Sequence, residues 1–230
     1  LPGACQENIV GRLLAAKDDD SKASLTTEQI RDEVVTLMLA GHETSAVSLT
    51  WTFYLLSQHP EIEERLCEEL ENKLNGAPAT SSDLAELSYL KQVVQESLRL
   101  YPAVWGVSRR SLDEAILGGY RIPKNSYIAI TPYVLHRDPK HWPEPEKFDP
   151  ERFSPGQIKS RHSYSYLPFG AGPRTCIGAG MAMLEIQLIL AQLLQKFKVT
   201  PIADQQIEVE AAVTLKPRHG LKVRLEPRIK

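Results

Sequence analysis

The chain has 230 residues, 42% of them hydrophobic, and a net charge of −2 at pH 7, the make-up of a soluble globular protein with one large domain or two small ones. Its charged residues make up 24% of the sequence and are nearly balanced in sign, which removes any global reason to expect nucleic acid or an anionic membrane surface as a partner. Cys5, Cys67 and Cys176 are odd in number, far apart and without CxxC spacing, so they point to neither a disulfide framework nor a structural zinc site and fit a reducing, cytoplasmic setting. The longest charge-free apolar stretch, Thr44 to Gln58, is shorter than the roughly 20 residues that span a bilayer, and no signal-peptide pattern occurs. The start, Leu1-Pro2-Gly3 with no initiator Met, points to an upstream region with room for a membrane anchor.

The first half of the chain reads as helix. Leu25-Thr26-Thr27-Glu28-Gln29-Ile30 is a capping box, with Thr26 at the N-cap, Gln29 at N3, and Leu25 and Ile30 placed as a hydrophobic staple. It predicts a helix over 27–58, ended by Pro60; at 1.5 Å per residue such a rod is about 48 Å long and must cross a core. Pro60 opens an acidic amphipathic helix in which Ile62, Leu66, Leu70 and Leu74 recur every four residues, with Cys67 as a small packing residue beside the stripe. "LKQVVQESLRLYP" is a further helix stopped by a proline. Then the period changes to two, and "AILGGYRIP" and "SYIAITPYV" predict two strands joined by a turn at Lys124-Asn125. Residues 132–155 carry prolines 132, 139, 143, 145, 150 and 155, which predict an ordered surface coil. A helix from about Cys176 to Phe197 and a short β-rich tail follow, so the expected fold class is mainly α with small β-sheets.

The segment "FGAGPRTCIG", residues 169–178, sets a cysteine among glycines at the start of a helix, where unpaired N–H groups and the helix dipole favour thiolate. Such a sulfur is a nucleophile or a metal ligand. The nearest histidine in sequence is His162, no catalytic cysteine signature is present, and no second zinc ligand stands at the usual spacing. The glycines permit close approach to a large flat object, and Arg174 offers a cation for an anionic group on it. Haem has those features: a flat face, an iron that accepts thiolate, and two propionates. In the long helix, "AGHETS", residues 40–45, is a polar interruption of an apolar rod. Gly41 removes bulk and the Thr44 hydroxyl can bond back to the Ala40 carbonyl, which predicts a loosened ladder and a local groove. Glu43 and Thr44, an acid beside an alcohol, can hold a diatomic ligand and deliver protons; the alternative is that Glu43 faces solvent and Thr44 only bonds its own helix.

Together these segments resemble the cytochrome P450 family, from just before its long central helix to the C-terminus. "AGHETS" resembles the oxygen-activating stretch of that helix. "ESLR", Glu96 to Arg99, is similar to the family's buried Glu-x-x-Arg, and "PERF", Pro150 to Phe153, supplies the second arginine. "FGAGPRTCIG" agrees with the haem-ligand loop at every fixed position, and the four motifs occur in the family's order over nearly the whole chain.

The resemblance implies a partial haem domain over residues 1–230 with its N-terminal half absent, the oxygen-activating helix over 27–58 and the thiolate loop over 169–178. It implies haem b, with Cys176 as metal ligand, Arg174 and Arg109 on the propionates, and Phe169 packed near the sulfur. Gly170 and Gly178 shape the loop, and Ala40 and Gly41 border the cofactor. Glu43 and Thr44 are the implied proton-delivery pair. Glu96, Arg99 and Arg152 form a buried structural network, and Val104, Trp105 and Val213 line a substrate pocket, with His42 as a neighbour of that pocket. The family reaction inserts one oxygen atom from O2 into a small hydrophobic organic substrate, with electrons from NAD(P)H through a ferredoxin- or flavodoxin-type donor or a reductase. Two alternatives stand beside it: a peroxide-using or isomerising haem-thiolate relative, and a truncated, non-catalytic fragment. Between Arg152 and Leu184 there is no acidic residue, while Arg152, Lys159, Arg161 and Arg174 are basic. With Arg152 and Arg174 committed to the network and a propionate, Lys159 and Arg161 are expected at the surface, where they can steer an acidic electron donor.

Overall fold

The capping box forms as two reciprocal bonds. The Thr26 N–H donates to Gln29 Oε1 at 2.8 Å and the Gln29 N–H to Thr26 Oγ1 at 3.2 Å. The structure, a computed structural model, describes residues 8–228, and Cys5 lies outside them. After α1 (Ile9–Ala15), whose N-cap Asn8 accepts from the Gly11 N–H, the box opens α2 (Thr27–Gln58). The helix is assigned α over 27–58, so the polar interruption at 40–45 does not end it. A Cβ placed on Gly41 would meet no atom within 4 Å. Contacts divide the chain into two compact units, Leu1–Glu43 and Thr44–Lys230, with the boundary inside α2.

The second unit holds the main core. Pro60, at the first helical position, opens α3 (Pro60–Leu74), whose Ile62, Leu66, Leu70 and Leu74 are all buried. They pack with Leu90, Val93, Val94 and Leu98 of α4 (Ser88–Leu100) and with Ile186, Leu190 and Leu194 of α7 (Ala179–Lys196). Cys67 is partly buried against this cluster, and burial pushes its thiol pKa up. Helix α4 has no cap from its own N-terminal residue; Glu69 of α3 reaches over, accepting the Tyr89 and Leu90 N–H groups at 2.8 Å each.

Small antiparallel sheets complete the unit, and here the expected pairing is corrected. Strands β2 (Ala115–Leu117) and β3 (Tyr120–Ile122) form a hairpin by themselves, because Gly118 and Gly119 take φ of +57° and +84° and close a two-residue turn. Strand β4 (Tyr127–Ile130) instead pairs with β1 (Val107–Arg110), Val107 opposite Ile130. The turn at Lys124-Asn125 exists, with Asn125 at φ +68°, but it redirects the chain between two sheets. The proline-rich segment also holds more structure than a coil. Helices α5 (Pro132–Leu135) and α6 (Pro155–Ser160) and a 3-10 turn over Pro150–Phe153 each begin on a proline, which is tolerated there because the first helical N–H has no partner to lose. At the C-terminus, β5 (Phe197–Pro201) pairs with β8 (Val223–Pro227) and β6 (Val209–Ala211) with β7 (Leu215–Pro217). Among the described residues no helix is long and apolar enough to cross a membrane.

Trp51, fully buried on α2, ties these parts together: its ring stacks on Tyr101 at 4.0 Å and its Nε1 donates to the Leu215 carbonyl at 2.7 Å. Trp51→Ala is expected to cost about 3–5 kcal/mol of unfolding free energy through lost burial and the cavity left behind. Trp51→Phe, which strands the Leu215 carbonyl but keeps an aromatic ring, should cost about 1–3 kcal/mol. Urea titration followed by circular dichroism measures both.

Candidate functional site: a cysteine loop held by a buried ion pair

Glu96 and Arg99 stand one turn apart on α4, and neither side chain is exposed to solvent. A buried guanidinium needs an acceptor for every N–H, and Arg99 has them. Its Nε and Nη2 clamp the Glu96 carboxylate at 2.7 and 2.8 Å, its Nη1 donates to the His136 and Pro145 carbonyls at 2.8 and 2.7 Å, and its Nη2 also donates to the Lys147 carbonyl at 3.1 Å. Glu96 Oε1 accepts the Asp149 N–H at 2.9 Å, and Arg152 Nε approaches the same oxygen to 3.4 Å. Burial raises the Glu96 pKa, while Arg99, the Asp149 N–H and Arg152 hold it back. Thus Glu96, Arg99 and Arg152 meet in one cluster, and most of the acceptors Arg99 uses are backbone carbonyls of residues 136–147, in the proline-rich segment.

Neighbouring this cluster is a group with no cue in the sequence. His136 is completely buried, with Nδ1 at 3.2 Å from the Arg99 carbonyl and Nε2 accepting the Leu167 N–H at 2.8 Å. One ring nitrogen must donate and the other accept, which only a neutral imidazole with its proton on Nδ1 can do. Burial, with Arg99 and Arg137 nearby, lowers its pKa from 6.5 to about 3. Its ring packs against Tyr166 at 5.2 Å, and the Tyr166 hydroxyl donates to the Gln95 carbonyl at 2.8 Å. Trp142 fills the other side of the segment, its Nε1 donating to the Ser165 carbonyl at 3.2 Å.

The Cys176 loop follows directly. The Gly170 N–H donates to the Leu167 carbonyl at 3.2 Å, and the Cys176 N–H closes the loop onto the Phe169 carbonyl at 2.9 Å. Gly170 and Gly172 have φ of +72° and +68°, the left-handed region that glycine enters without strain. A Cβ on Gly178 would lie 3.8 Å from Cys176 Sγ, so the glycine leaves that side of the sulfur bare. Phe169 packs against the core cluster, which anchors one end of the loop. Cys176 itself is exposed. It precedes α7, which begins at Ala179 with Gly178 as N-cap, so the expected start at about Cys176 is corrected by one turn. The reason is the 3-10 turn over Gly172–Arg174 and the closure onto Phe169, which hold the Cys176 backbone outside the helix.

The exposed side chains of the expected site residues are of the kinds that suit a flat apolar ring with anionic edge groups. Arg109 and Arg174 are exposed and make no ion pair among the described residues. Ile177, Met181 and Val213 leave 94%, 69% and 89% of their surface open, unusual for large apolar side chains. Trp105 and Val213 are brought near each other, since Trp105 Nε1 donates to the Ala212 carbonyl at 2.9 Å and the Leu215 N–H to the Ala103 carbonyl at 2.9 Å. Val104 lies between those contacts and is partly exposed. On α2, Ala40, Gly41 and His42 are exposed, and Glu43 and Thr44 are half-buried; the Thr44 carbonyl accepts the Ser48 hydroxyl at 2.8 Å.

The expected surface pair Lys159 and Arg161 is corrected. Arg161 folds over Trp142 at 4.0 Å and donates to the Arg152 carbonyl, and burial lowers its pKa. A guanidinium spreads its charge over a plane that stacks on an indole, so Arg161 is half-buried and held against Trp142 rather than fully exposed. Lys159 and Arg174 remain exposed. Among residues the motifs did not mark, His136, Trp142 and Glu69 carry position-setting contacts; only the presence of a histidine and a tryptophan in a proline-rich run hints at the first two.

Two outcomes follow. Replacing Glu96 by Gln, or Arg99 by Lys, leaves a buried charge or carbonyl without its partner and is expected to cost about 3–5 kcal/mol, read as a lowered urea midpoint. His136 stays neutral in the fold while the unfolded chain takes up a proton below about pH 6.5, so its contribution is complete above that pH and is lost as pH falls toward about 3. The slope is at most about 1.4 kcal/mol per pH unit, and His136→Gln should flatten it in a pH series of unfolding curves.

The cytochrome P450 family profile matches residues 4–223. The chain is 39% identical over 219 residues to human cytochrome P450 4V2, covering 94% of this chain and 42% of that protein. It is 39% identical over 208 residues to cyclooctatin synthase of Streptomyces melanosporofaciens, covering 90% and 45%. It is 40% identical over 228 residues to the chloroplastic protein LUTEIN DEFICIENT 5 of Arabidopsis thaliana, covering 97% and 37%. Among solved structures, the haem domain of cytochrome P450DA superposes with a TM-score of 0.89 at 32% identity, over 95% of this chain and 48% of that one. The chain therefore spans less than half the length of these relatives. With its mainly helical fold, its small antiparallel sheets and a match over nearly all its residues, the chain belongs to the cytochrome P450 family.

Proposed function

We propose that the chain is the thiolate-bearing portion of a haem monooxygenase that acts on a small hydrophobic organic substrate. The observation that carries the reading is the exposed Cys176 sulfur on a loop closed by its own N–H onto Phe169 and anchored behind to a fully buried ion pair. Haem bound through that thiolate supplies the activation of O2 and its insertion into substrate, with electrons from NAD(P)H delivered by a ferredoxin- or flavodoxin-type partner or a reductase.

The chain's own residues do the rest. Cys176 would hold the haem through its sulfur, with Phe169 and Gly178 beside it shaping the loop. Arg109 and Arg174 would neutralise its propionates. Glu43 and Thr44, adjacent on α2, hold and pass protons from the bulk solvent, and Ala40 and Gly41 leave that stretch without bulky side chains. Val104, Trp105 and Val213 offer apolar surface to the substrate and exclude water from it. Retention of the acid and alcohol pair favours O2 as oxidant over preformed peroxide.

In the full enzyme, the reduced protein under carbon monoxide is expected to show the long-wavelength band of a thiolate haem, and Cys176→Ser to abolish it; a band that survives the substitution sinks the ligand assignment. Thr44→Ala is expected to keep haem and substrate binding while NADPH consumption shifts from product to peroxide. Unchanged coupling of NADPH to product overturns the proton role.

A further inference from the structure

Among the described residues, His136 is a buried titratable side chain that bridges the ion-pair cluster and the cysteine loop, and both bridges run through backbone. On one side the bond is reciprocal: Arg99 Nη1 donates to the His136 carbonyl at 2.8 Å, and the His136 ring stands 3.2 Å from the Arg99 carbonyl. On the other side its Nε2 accepts the Leu167 N–H at 2.8 Å, and the Leu167 carbonyl in turn accepts the Gly170 N–H at 3.2 Å. From Gly170 the path continues through Phe169, whose carbonyl accepts the Cys176 N–H at 2.9 Å. A continuous series of short bonds thus joins Arg99 to the sulfur-bearing residue, and His136 is its only side-chain member between the two.

We propose that His136 is a positioning residue for the sulfur loop, fixing the height of Leu167 and hence of Phe169 and Cys176 relative to the Glu96–Arg99 pair. The proposal rests on the haem-thiolate reading for its meaning in catalysis, but not for the tie itself. A ring at this place does two things that an aliphatic residue of equal volume does not. It accepts the part-buried Leu167 N–H at the entry to the loop, and it does so from a rigid plane packed on Tyr166. Because Nδ1 is committed to the Arg99 carbonyl, the ring has one allowed orientation, so a shift of α4 or of the proline-rich segment is passed to Leu167 rather than absorbed. Tyr166, bonded to the Gln95 carbonyl, holds the preceding residue to the same helix. Two consecutive residues, 166 and 167, are thereby pinned to α4 and its cluster, and the loop is free only from Pro168 onward.

The test uses amide hydrogen exchange across residues 160–180 of the full haem-loaded enzyme, together with the carbon monoxide difference spectrum of the same samples. In the wild type, the Leu167 N–H is expected to exchange as slowly as the core amides of α4. Fast exchange there overturns the tie without need of a variant. His136→Phe keeps an aromatic ring but neither bond; exchange at Leu167, Gly170 and Cys176 should quicken about tenfold while α3 keeps its protection, and the long-wavelength band should partly convert to the shorter-wavelength form of a displaced thiolate. His136→Gln, whose amide can accept from Leu167, should restore both readouts in large part. Trp51→Phe serves as the control for general destabilisation: it should quicken Leu167 and the α4 core amides together, by the same factor, and leave the band as in the wild type. Unchanged exchange and spectrum in His136→Phe overturn the proposal. Quickened exchange in a protein whose wild type lacks the thiolate band supports the tie and overturns only the haem-thiolate reading.

Discussion

The structure depends on one guanidinium. Arg99 sits without solvent contact inside the second unit, and taking a charge out of water costs several kcal/mol unless it is paired and every N–H is satisfied. The carboxylate of Glu96 answers two of its donors; three more go to backbone carbonyls at 136, 145 and 147. Those carbonyls belong to a segment too rich in proline to form a long helix or an interior strand, and so unable to satisfy itself. The buried cation and the irregular segment complete each other: neither has an alternative set of partners. That mutual need keeps a proline-rich stretch ordered beside the core, and the order passes through His136 and Trp142 to the chain that carries Cys176.

The exposed Cys176 sulfur poses the opposite problem. On the proposed reading it would have to be open to a cofactor, yet held still enough to meet it at one distance. Glycines at 170 and 172 permit the sharp path that brings the sulfur outward, while the Cys176 N–H to Phe169 bond and the packing of Phe169 in the core remove the freedom those glycines introduce. The loop is thus flexible in composition and rigid in context. Ile177, Met181 and Val213 expose apolar surface in the same unit as the exposed Arg109 and Arg174, the chemistry that an amphipathic ring with carboxylate edges would cover.

Helix α2 meets its polar residues in a different way. Along 48–52, Ser48, Thr50 and Thr52 each return their hydroxyl to the carbonyl four residues back at 2.8 Å, so these three polar side chains are satisfied within the helix. Thr52 adds a contact at 2.9 Å to the Ser97 hydroxyl, one residue after Glu96, which ties α2 to α4 beside the ion pair. Trp51 faces Tyr101 and Leu215 from the next position. Thr44 is thus followed by a segment in which Ser48, Thr50, Trp51 and Thr52 all have partners.

Much of this was legible in the sequence because it is local. The capping box at Thr26, Pro60 at the head of α3, the four-residue stripe of that helix and the Glu96–Arg99 spacing are properties of a few neighbouring residues, and local hydrogen bonding and helical geometry determine them whatever the rest of the chain does. The family motifs are of the same kind, since a run of fixed residue types needs no coordinates to be read. What only the tertiary structure decided is partner choice. Two glycines at 118 and 119 made a tighter hairpin than the turn at 124–125, and so sent β4 to β1; Glu69 capped a helix from another helix; Arg161 stacked on Trp142. His136 has nothing in its neighbourhood to announce a role, because its two bonds go to residues 37 and 31 positions away. Period, caps and turns act over a few residues, whereas burial of a charge or an N–H is settled by whichever distant backbone group arrives beside it, and that is known only once the chain has folded.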